Sequence, residues 1–170
     1  MHGPVAEGIR MTQAMPAELA QGYAPPSVTQ YSVFLDNKVG KLFDLVQRFD
    51  QEPECAICAF SVHEASDHAV VRIITNNARR AKAILDENRL GYAESRLLVV
   101  ELSEGLMVSR MCLCLLSAEL SIRFAYPLML RPNGTPTIAL SVDDLTLAGQ
   151  ILQRKHFRLL GECDLPKGAE

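Results

Sequence analysis

The residues best suited to binding a small ligand form one short stretch, which runs Asp36, Asn37, Lys38, Val39, Gly40 and Lys41. Asp36 and Asn37 suit a turn because their side chains can bond nearby backbone N–H groups. Gly40 permits a positive φ angle or the close approach of a ligand. A glycine-containing turn at a helix N-terminus exposes N–H groups that can receive a carboxylate or a phosphate. The stretch therefore indicates anion binding by the backbone, and the alternative is a plain strand-to-helix connection.

A second group of polar side chains surrounds a predicted hairpin turn. His63 and His68 flank it, with Glu64 and Asp67 between them. Such a group could act as an acid–base pair or hold a metal ion. The sequence offers no third ligand, however, and hairpin turns are normally charged and solvated. We therefore expect neither a catalytic residue nor a metal site here, and no cofactor.

The cysteines indicate structural rather than chemical roles. The chain has five, an odd number without a disulfide-rich composition, which predicts a reducing compartment such as the cytoplasm. Cys55 and Cys58 are three apart at the start of a predicted strand, so they should point to opposite faces. Cys112 and Cys114 lie about 200° apart on a helix. We interpret all four as small apolar residues.

Composition excludes several classes of function. The 170 residues, 48% hydrophobic and 22% charged, suffice for one ordinary domain or two small ones. A net charge of −3 argues against a nucleic-acid surface, which usually needs a basic face. No apolar run is long enough to span a membrane, and the N-terminus lacks the apolar segment of a secretory signal. No nucleotide-binding or hydrolase fingerprint is present.

The polar stretch connects the first two of a series of predicted elements. Val33 and Leu35 should face a core from a strand, and Leu42, Leu45, Val46 and Phe49 form a helical stripe. The predicted elements are strand 29–36, helix 40–49, strand 56–64, strand 68–75, a helix capped by Asn76 that runs to about 88, extended run 91–102, helix 104–118 with Val108, Met111, Cys112 and Leu115 buried, strand 120–130, strand 135–142, a helix capped by Asp143 or Asp144, and strand 157–165. The long run 91–102 can close one unit and open the next.

This order of elements repeats at about 65 to 67 residues: Val33 matches Val99, and Asn76 matches Asp143. The predicted fold class is α+β, with two ferredoxin-like βαββαβ units whose antiparallel sheets carry helices on one face. We assign the units to residues 29–95 and 96–170, after an extension of residues 1–28 that we expect to be flexible. The other sheet face carries Phe34, Phe60 and Phe124, which a partner or the extension would cover.

At this point the sequence resembles the ACT domain, a ferredoxin-like module that binds small molecules. Residues 34–42 are similar to the family's signature, strand–Asn–x–Pro–Gly–x–Leu, with Val39 in the place of the proline. Residues 70–76 resemble its third strand and the helix cap that follows. Residues 139–144 and 159–165 are similar to the end of small bacterial proteins made of two ACT units. The resemblance covers about residues 29–165.

The resemblance implies a non-catalytic regulatory protein that binds a small amino acid at an interface between ACT-like units. Its ligand-binding residues would be Asp36, Asn37, Lys38, Val39, Gly40 and Lys41, through the Asn37 side chain and the N–H groups of Val39, Gly40 and Lys41. It also implies a homodimer and, as a further partner, a metabolic enzyme or regulator.

Two departures from the family's pattern favour an alternative function. The family often has Asn or Asp where strand two begins, but Ala56 and Ser121 occupy those places here. The second unit's turn keeps Gly105 and continues with Leu106 and Met107, so it is shorter and more apolar. The alternative is a structural dimerisation or protein-interaction module that binds no ligand.

Overall fold

The computed structural model describes residues 23–103 and 107–166. Their order of elements is βαββαβ twice, with the fourth strand common to both units, as predicted for the fold class. The elements are β1 (Val28–Asp36), α1 (Lys41–Asp50), β2 (Ile57–Ala65), β3 (His68–Thr75), α2 (Ala78–Glu87), β4 (Gly91–Glu101), α3 (Val108–Leu116), β5 (Ile122–Pro127), β6 (Thr137–Val142), α4 (Leu145–Arg154), β7 (Arg158–Leu160) and a closing 3-10 helix (Glu162–Asp164). None of the described helices is long and apolar enough to cross a membrane.

Strand β4 joins two antiparallel sheets, with strand orders β2-β3-β1-β4 and β5-β6-β4-β7. Its residues 91–97 pair with β1, and its residues 98–101 pair with β6 on one side and, from 99, with β7 on the other. The prediction that this long run serves both units is confirmed. The limit between residues 95 and 96 falls inside β4 and stays a prediction.

Three apolar clusters hold the units together. One lies between α1, α2 and the first sheet and includes Leu45, Phe49 and Leu85. Another lies between α3, α4 and the second sheet. The third draws on both units, because the helix-free faces of the two sheets pack on each other. The result is four layers, helices–sheet–sheet–helices, with the inter-unit cluster at the centre.

A small polar network sits in this central layer. The Tyr126 hydroxyl donates to Gln30 Oε1 at 2.6 Å, and the Gln30 amide donates to Ser32 and Ser95. The Arg72 guanidinium stacks 4.2 Å from the Phe124 ring centre. Burial raises the pKa of Tyr126, so the hydroxyl stays a donor. These paired groups fix how one sheet sits on the other.

The prediction that Phe34, Phe60 and Phe124 share a face is wrong for Phe60. A β-bulge shifts the β2–β3 register between Ile57 and Ala59. Cys58 and Ala59 therefore both join the inter-unit cluster, and Phe60 pairs with Ile73 on the helix side.

Three smaller expectations are also wrong. Asn77, not Asn76, caps α2 by accepting from Arg80 N–H, whereas the prediction that Asp143 or Asp144 caps α4 is confirmed for Asp144. The closing strand is only three residues long, Arg158–Leu160, and gives way to a 3-10 helix. On α3, Met111 and Leu115 are buried, but Val108 and Cys112 are exposed because no described element covers that side of the helix.

The residues just before β1 pack against the second unit. Pro25 lies against α4 at Gly149, where an added Cβ would be only 2.4 Å from the proline Cβ. Ser27 accepts from Arg96, and Thr29 donates to Glu162 through both N–H and hydroxyl. Pro25 and, at the start of β1, Thr29 thus tie the first unit to the second. The remainder of the predicted extension lies outside the described residues.

Candidate functional site

The polar stretch forms an exposed turn between β1 and α1. Gly40 is the N-cap of α1 with a φ of 91°, in the left-handed region that glycine adopts without strain. No side chain caps the helix at this end. Val39 is fully exposed. The sequence prediction of a glycine-dependent turn at a helix start agrees with this geometry.

Most of the N–H groups at the start of α1 are available to a ligand. Within the described part of the chain, the N–H groups of Val39, Gly40, Leu42 and Phe43 have no hydrogen-bond acceptor. The Lys41 N–H, in contrast, donates to the Lys38 carbonyl at 3.2 Å. The turn itself thus uses the Lys41 N–H in this structure, and a role of that group in ligand binding stays a prediction. The remaining donors lie at the positive end of the helix dipole, which favours an anion.

Asn37 fixes the turn against the neighbouring hairpin. Its amide donates to Glu64 Oε1 at 2.7 Å and to the Ser66 carbonyl at 3.0 Å, and its N–H donates to the Asp67 carbonyl. Both amide donors are therefore in use. The Asn37 side-chain oxygen has no donor among the described residues, so it can still accept from an ammonium group.

The charges around the turn are solvated. Lys38 pairs with Asp36 at 3.4 Å, and both side chains are more than half exposed, so the pair adds little stability. Lys41 is exposed beside a recess of about 60 Å³ that includes Leu45 and Leu90. The structure brings all six predicted residues together at one exposed corner, and the recess beside Lys41 is small.

A larger cavity of about 430 Å³ lies at the other end of α1. Sequence reasoning missed it, because its apolar residues were assigned to the core and no residue type marks the gap between them. One residue of its lining, Met129, comes from the second unit, and the Met129 N–H donates to the Cys58 carbonyl at 2.9 Å. The cavity is lined by Val46, Phe49, Asp50, Glu52, Pro53, Cys55, Ala56, Ile57, Phe60 and Met129.

The cavity is apolar with an acidic margin. Arg80 bonds both carboxylate oxygens of Glu52, at 2.6 and 3.1 Å, and lowers the pKa of Glu52. Asp50 is exposed, and in the described ranges no ion pair engages it. The cavity can thus take an apolar group and offer a carboxylate to a cation, and the Arg80 guanidinium on its margin is already paired with Glu52.

Ala56 and Ser121 hold equivalent places at the entries to β2 and β5, as the sequence match predicts. The Ala56 N–H donates to Asn76 Oδ1, and the Ser121 N–H donates to the Asp143 carboxylate. Asn76 and Asp143 thus fix a strand entry in each unit. The Ala56 side chain lines the cavity and offers it no polar group.

The thiols near the cavity are buried and inert. Cys55 belongs to the helix-side core of the first unit and Cys58 to the inter-unit core, which confirms that they point to opposite faces. Burial raises the pKa of both, that of Cys58 to about 12, so both stay protonated. His63 and His68 lie on the β2–β3 hairpin, and the described residues contain no group of three or more metal-ligating side chains.

The second unit uses the corresponding corner differently. Glu101, at the end of β4, is 5% exposed and accepts from Asn133 and Thr135 of the β5–β6 hairpin, with Arg158 at 3.5 Å. The Leu102 N–H donates to the Pro136 carbonyl, as Asn37 does to Asp67. The predicted Gly105 and Leu106 of this turn lie outside the described residues. The N-cap of α3 is Met107, with no side-chain cap.

Comparison with known proteins gives a consistent result. A family model described as an ACT domain pair matches residues 26–167. No curated protein matches. The structure is similar to protein BT0572 from Bacteroides thetaiotaomicron, with a TM-score of 0.72 and 20% identity over 83% of this chain and 96% of that one. It is also similar to the ligand-free regulatory subunit of aspartate kinase from Thermus thermophilus, with a TM-score of 0.54 and 10% identity over 78% and 92% of the two chains.

Proposed function

Because this chain belongs to the ACT domain pair family, we propose that it is a non-catalytic regulatory protein that binds a small amino acid at an interface between ACT-like units. The observation that carries the proposal is the N-terminus of α1, where a left-handed glycine and the absence of a side-chain cap leave several N–H groups free. An amino-acid carboxylate is an anion of suitable size for such a site. The Asn37 oxygen is placed at the same corner to accept from the ammonium group.

The ligand would sit between two copies of the chain. The turn offers donors beside a recess of only about 60 Å³, whereas the described lining of the larger cavity offers apolar surface and Asp50 but no cation. They lie at opposite ends of α1, a ten-residue helix about 15 Å long. One small ligand therefore cannot touch both within one chain. Antiparallel pairing of α1 helices from two copies brings the turn of one beside the cavity of the other, which supports a homodimer.

Regulation would follow from differential affinity. A ligand held by two copies favours the arrangement of subunits that forms its site, in proportion to its affinity for that arrangement over others. A metabolic enzyme or regulator that contacts the protein would then experience the change. The cytoplasm stays the predicted compartment, and the chemistry of the free cysteines accords with it.

A thermal-shift screen against the twenty amino acids tests the proposal. A ligand at 100 times its dissociation constant should add about 2.7 kcal/mol to the free energy of unfolding. We expect selective stabilisation by one or two amino acids. If none raises the melting temperature of the folded protein, amino-acid binding is wrong.

Three variants place the site. Val39→Glu puts a carboxylate over the free N–H groups of α1 and should abolish the ligand-induced shift. Ala56→Phe fills the cavity and should weaken it. Arg79→Glu, which adds the same group to the first turn of α2, should leave it unchanged. If Val39→Glu and Arg79→Glu change the ligand-induced shift equally, the turn is not part of the binding site.

The second candidate is a dimerisation or protein-interaction module that binds no ligand. It is favoured by Ala56 and Ser121, which bring no polar side chain to the strand entries, and by the Glu101 corner, where the second unit uses its polar group internally. If the protein is a stable dimer and no amino acid raises its melting temperature, this second function is the one supported.

A further inference from the structure

Two exposed apolar side chains stand at the rim of the cavity near the end of α1. Phe60 is 41% exposed and Met129 is 55% exposed, and both line the cavity. Phe60 belongs to β2 of the first unit, and Met129 lies between β5 and β6 of the second. Large apolar surface in contact with water is unfavourable. An apolar occupant of the cavity would remove part of this surface from water.

We infer that the ligand is an amino acid with a large apolar side chain, such as leucine, methionine or phenylalanine, and that this cavity receives that side chain. The inference rests on the proposed function, which places the cavity beside the ligand, and it adds the class of ligand. A volume of about 430 Å³ is typical of small-molecule sites. The side chain of glycine or alanine would leave most of it empty, and the lining would lose dispersion contacts.

The hydrogen-bond donors of the described lining are already in use. The Cys55 N–H donates to the Glu52 carbonyl at 3.1 Å. The Cys55 thiol donates to the Asn77 carbonyl. The Ala56 N–H donates to Asn76 Oδ1 at 2.8 Å. An amide or hydroxyl side chain that left water for this cavity would therefore lose the hydrogen bonds to its oxygen, which disfavours asparagine, glutamine, serine and threonine as ligands.

The charges at the margin disfavour an acidic side chain and add little affinity for a basic one. Arg80 bonds both carboxylate oxygens of Glu52, so its positive charge is balanced. The Asp50 carboxylate would repel the side chain of aspartate or glutamate. Asp50 is also exposed, so water screens its attraction for lysine or arginine. The burial of apolar area is therefore the main source of affinity at this cavity.

Ala56 is the residue that sets the preference for an apolar side chain. It stands at the entry to β2, and its side chain lines the cavity. An asparagine at this position would bring an amide, with both a donor and an acceptor, to the cavity. Ser121 holds the equivalent place at the entry to β5, where its N–H donates to the Asp143 carboxylate. It therefore provides a matched control position in the second unit.

Calorimetric titration of the full chain with each of the twenty amino acids tests the ligand class. We expect the tightest binding from leucine, isoleucine, methionine or phenylalanine. Leucine should bind at least tenfold more tightly than asparagine, which has a similar shape, and than alanine. If any other amino acid binds most tightly, the inference is wrong and the proposed function stands. If none of the twenty binds, both are wrong.

A change of specificity tests the role of the cavity. Ala56→Asn should reduce the preference for leucine over asparagine at least tenfold, because the new amide can pair with the polar ligand. Ser121→Asn adds the same amide to the second unit and should change that preference less than twofold. Equal preferences in the two variants would show that the cavity does not receive the side chain.

A second pair of variants avoids any change inside the fold. Met129→Gln alters an exposed side chain at the rim of the cavity and should weaken leucine binding about threefold, because the amide is a poorer apolar contact. Met107→Gln makes the same exchange at an exposed methionine of the α3 N-cap and should leave leucine binding unchanged. If Ala56→Asn does not fold, this pair decides, and equal affinities for leucine would overturn the inference.

Discussion

The two units place opposite chemistry at the same corner of the fold. In the first, the exposed Asn37 amide donates to the β2–β3 hairpin. In the second, the buried Glu101 carboxylate accepts from the β5–β6 hairpin. The backbone N–H to carbonyl bond beside each is conserved between the units, at 2.9 and 2.8 Å. The difference shows that the same corner of the repeat can be exposed in one unit and buried and hydrogen-bonded in the other.

The largest loss of stability should come from removing the buried Glu101 carboxylate. Glu101→Ala leaves Asn133, Thr135 and Arg158 without their acceptor and should lower the free energy of unfolding by about 3 kcal/mol. Urea denaturation followed by circular dichroism measures it. Glu101→Gln, which keeps one acceptor oxygen, should lose less. If Glu101→Ala lowers the free energy of unfolding no more than Asn37→Ala does, the two corners do not differ in their contribution to stability.

A second difference lies on the outer helices. In α4, Gly149 admits Pro25, and the matching position in α2 is the exposed Lys82. Gly149→Ala forces a Cβ into the proline and should cost about 2 kcal/mol by overpacking. Lys82→Ala should stay within about 0.5 kcal/mol. Thermal unfolding of both variants is the measurement, and similar melting temperatures would show that the Pro25 contact carries no stability.

The first unit should lose little stability when the Asn37 hydrogen bonds to the β2–β3 hairpin are removed. Asn37→Ala removes two hydrogen bonds at an exposed site and should cost about 1 kcal/mol, since water replaces the lost partners. Hydrogen exchange at the β2–β3 hairpin should rise in this variant, whereas exchange at the β5–β6 hairpin should not. A change at both hairpins would mean that the two corners are coupled through the shared strand.

The smallest effect on stability is expected at Val39. Its side chain is fully exposed, so Val39→Glu should change the free energy of unfolding by less than about 0.5 kcal/mol. The same change should abolish ligand binding. Denaturation checks the stability of the variant, and thermal shift on the same sample checks its ligand binding. A large loss of stability would mean that the turn is structural in this unit too.

Element order and repeat were predictable because they depend on periodicity. The two units were predicted from the alternation of apolar and polar residues in strands such as 29–36 and 68–75 and from the apolar stripes of the helices. The shared strand was predicted from the length of the run 91–102. The β2 bulge was not predictable, since Cys58, Ala59 and Phe60 suit either face. Val108 and Cys112 were assigned to the core because they form a helical stripe with Met111 and Leu115, but the spacing does not tell how wide a face the neighbouring elements cover.

Within the candidate site, the turn was predictable and the cavity was not. Gly40 has a conformational role that only a few residues can fill, so its type carries information about local backbone. The cavity depends on how α1, β2 and Met129 pack at long range, which leaves no local signature. The free N–H groups could be expected at a helix start, but the use of the Lys41 N–H depends on a backbone conformation of the turn that residue types do not specify.

Because both sheets share strand β4, the two units cannot be separated by recombination within the gene without damage to at least one sheet. Neither half of the gene encodes a self-sufficient module, because a cut anywhere within 91–101 takes a strand from at least one sheet. A cut also exposes the central cluster, to which both halves contribute. Recombination should therefore pass the pair on as one indivisible unit, so that divergence acts on single residues such as Asn37 and Glu101 rather than on whole domains.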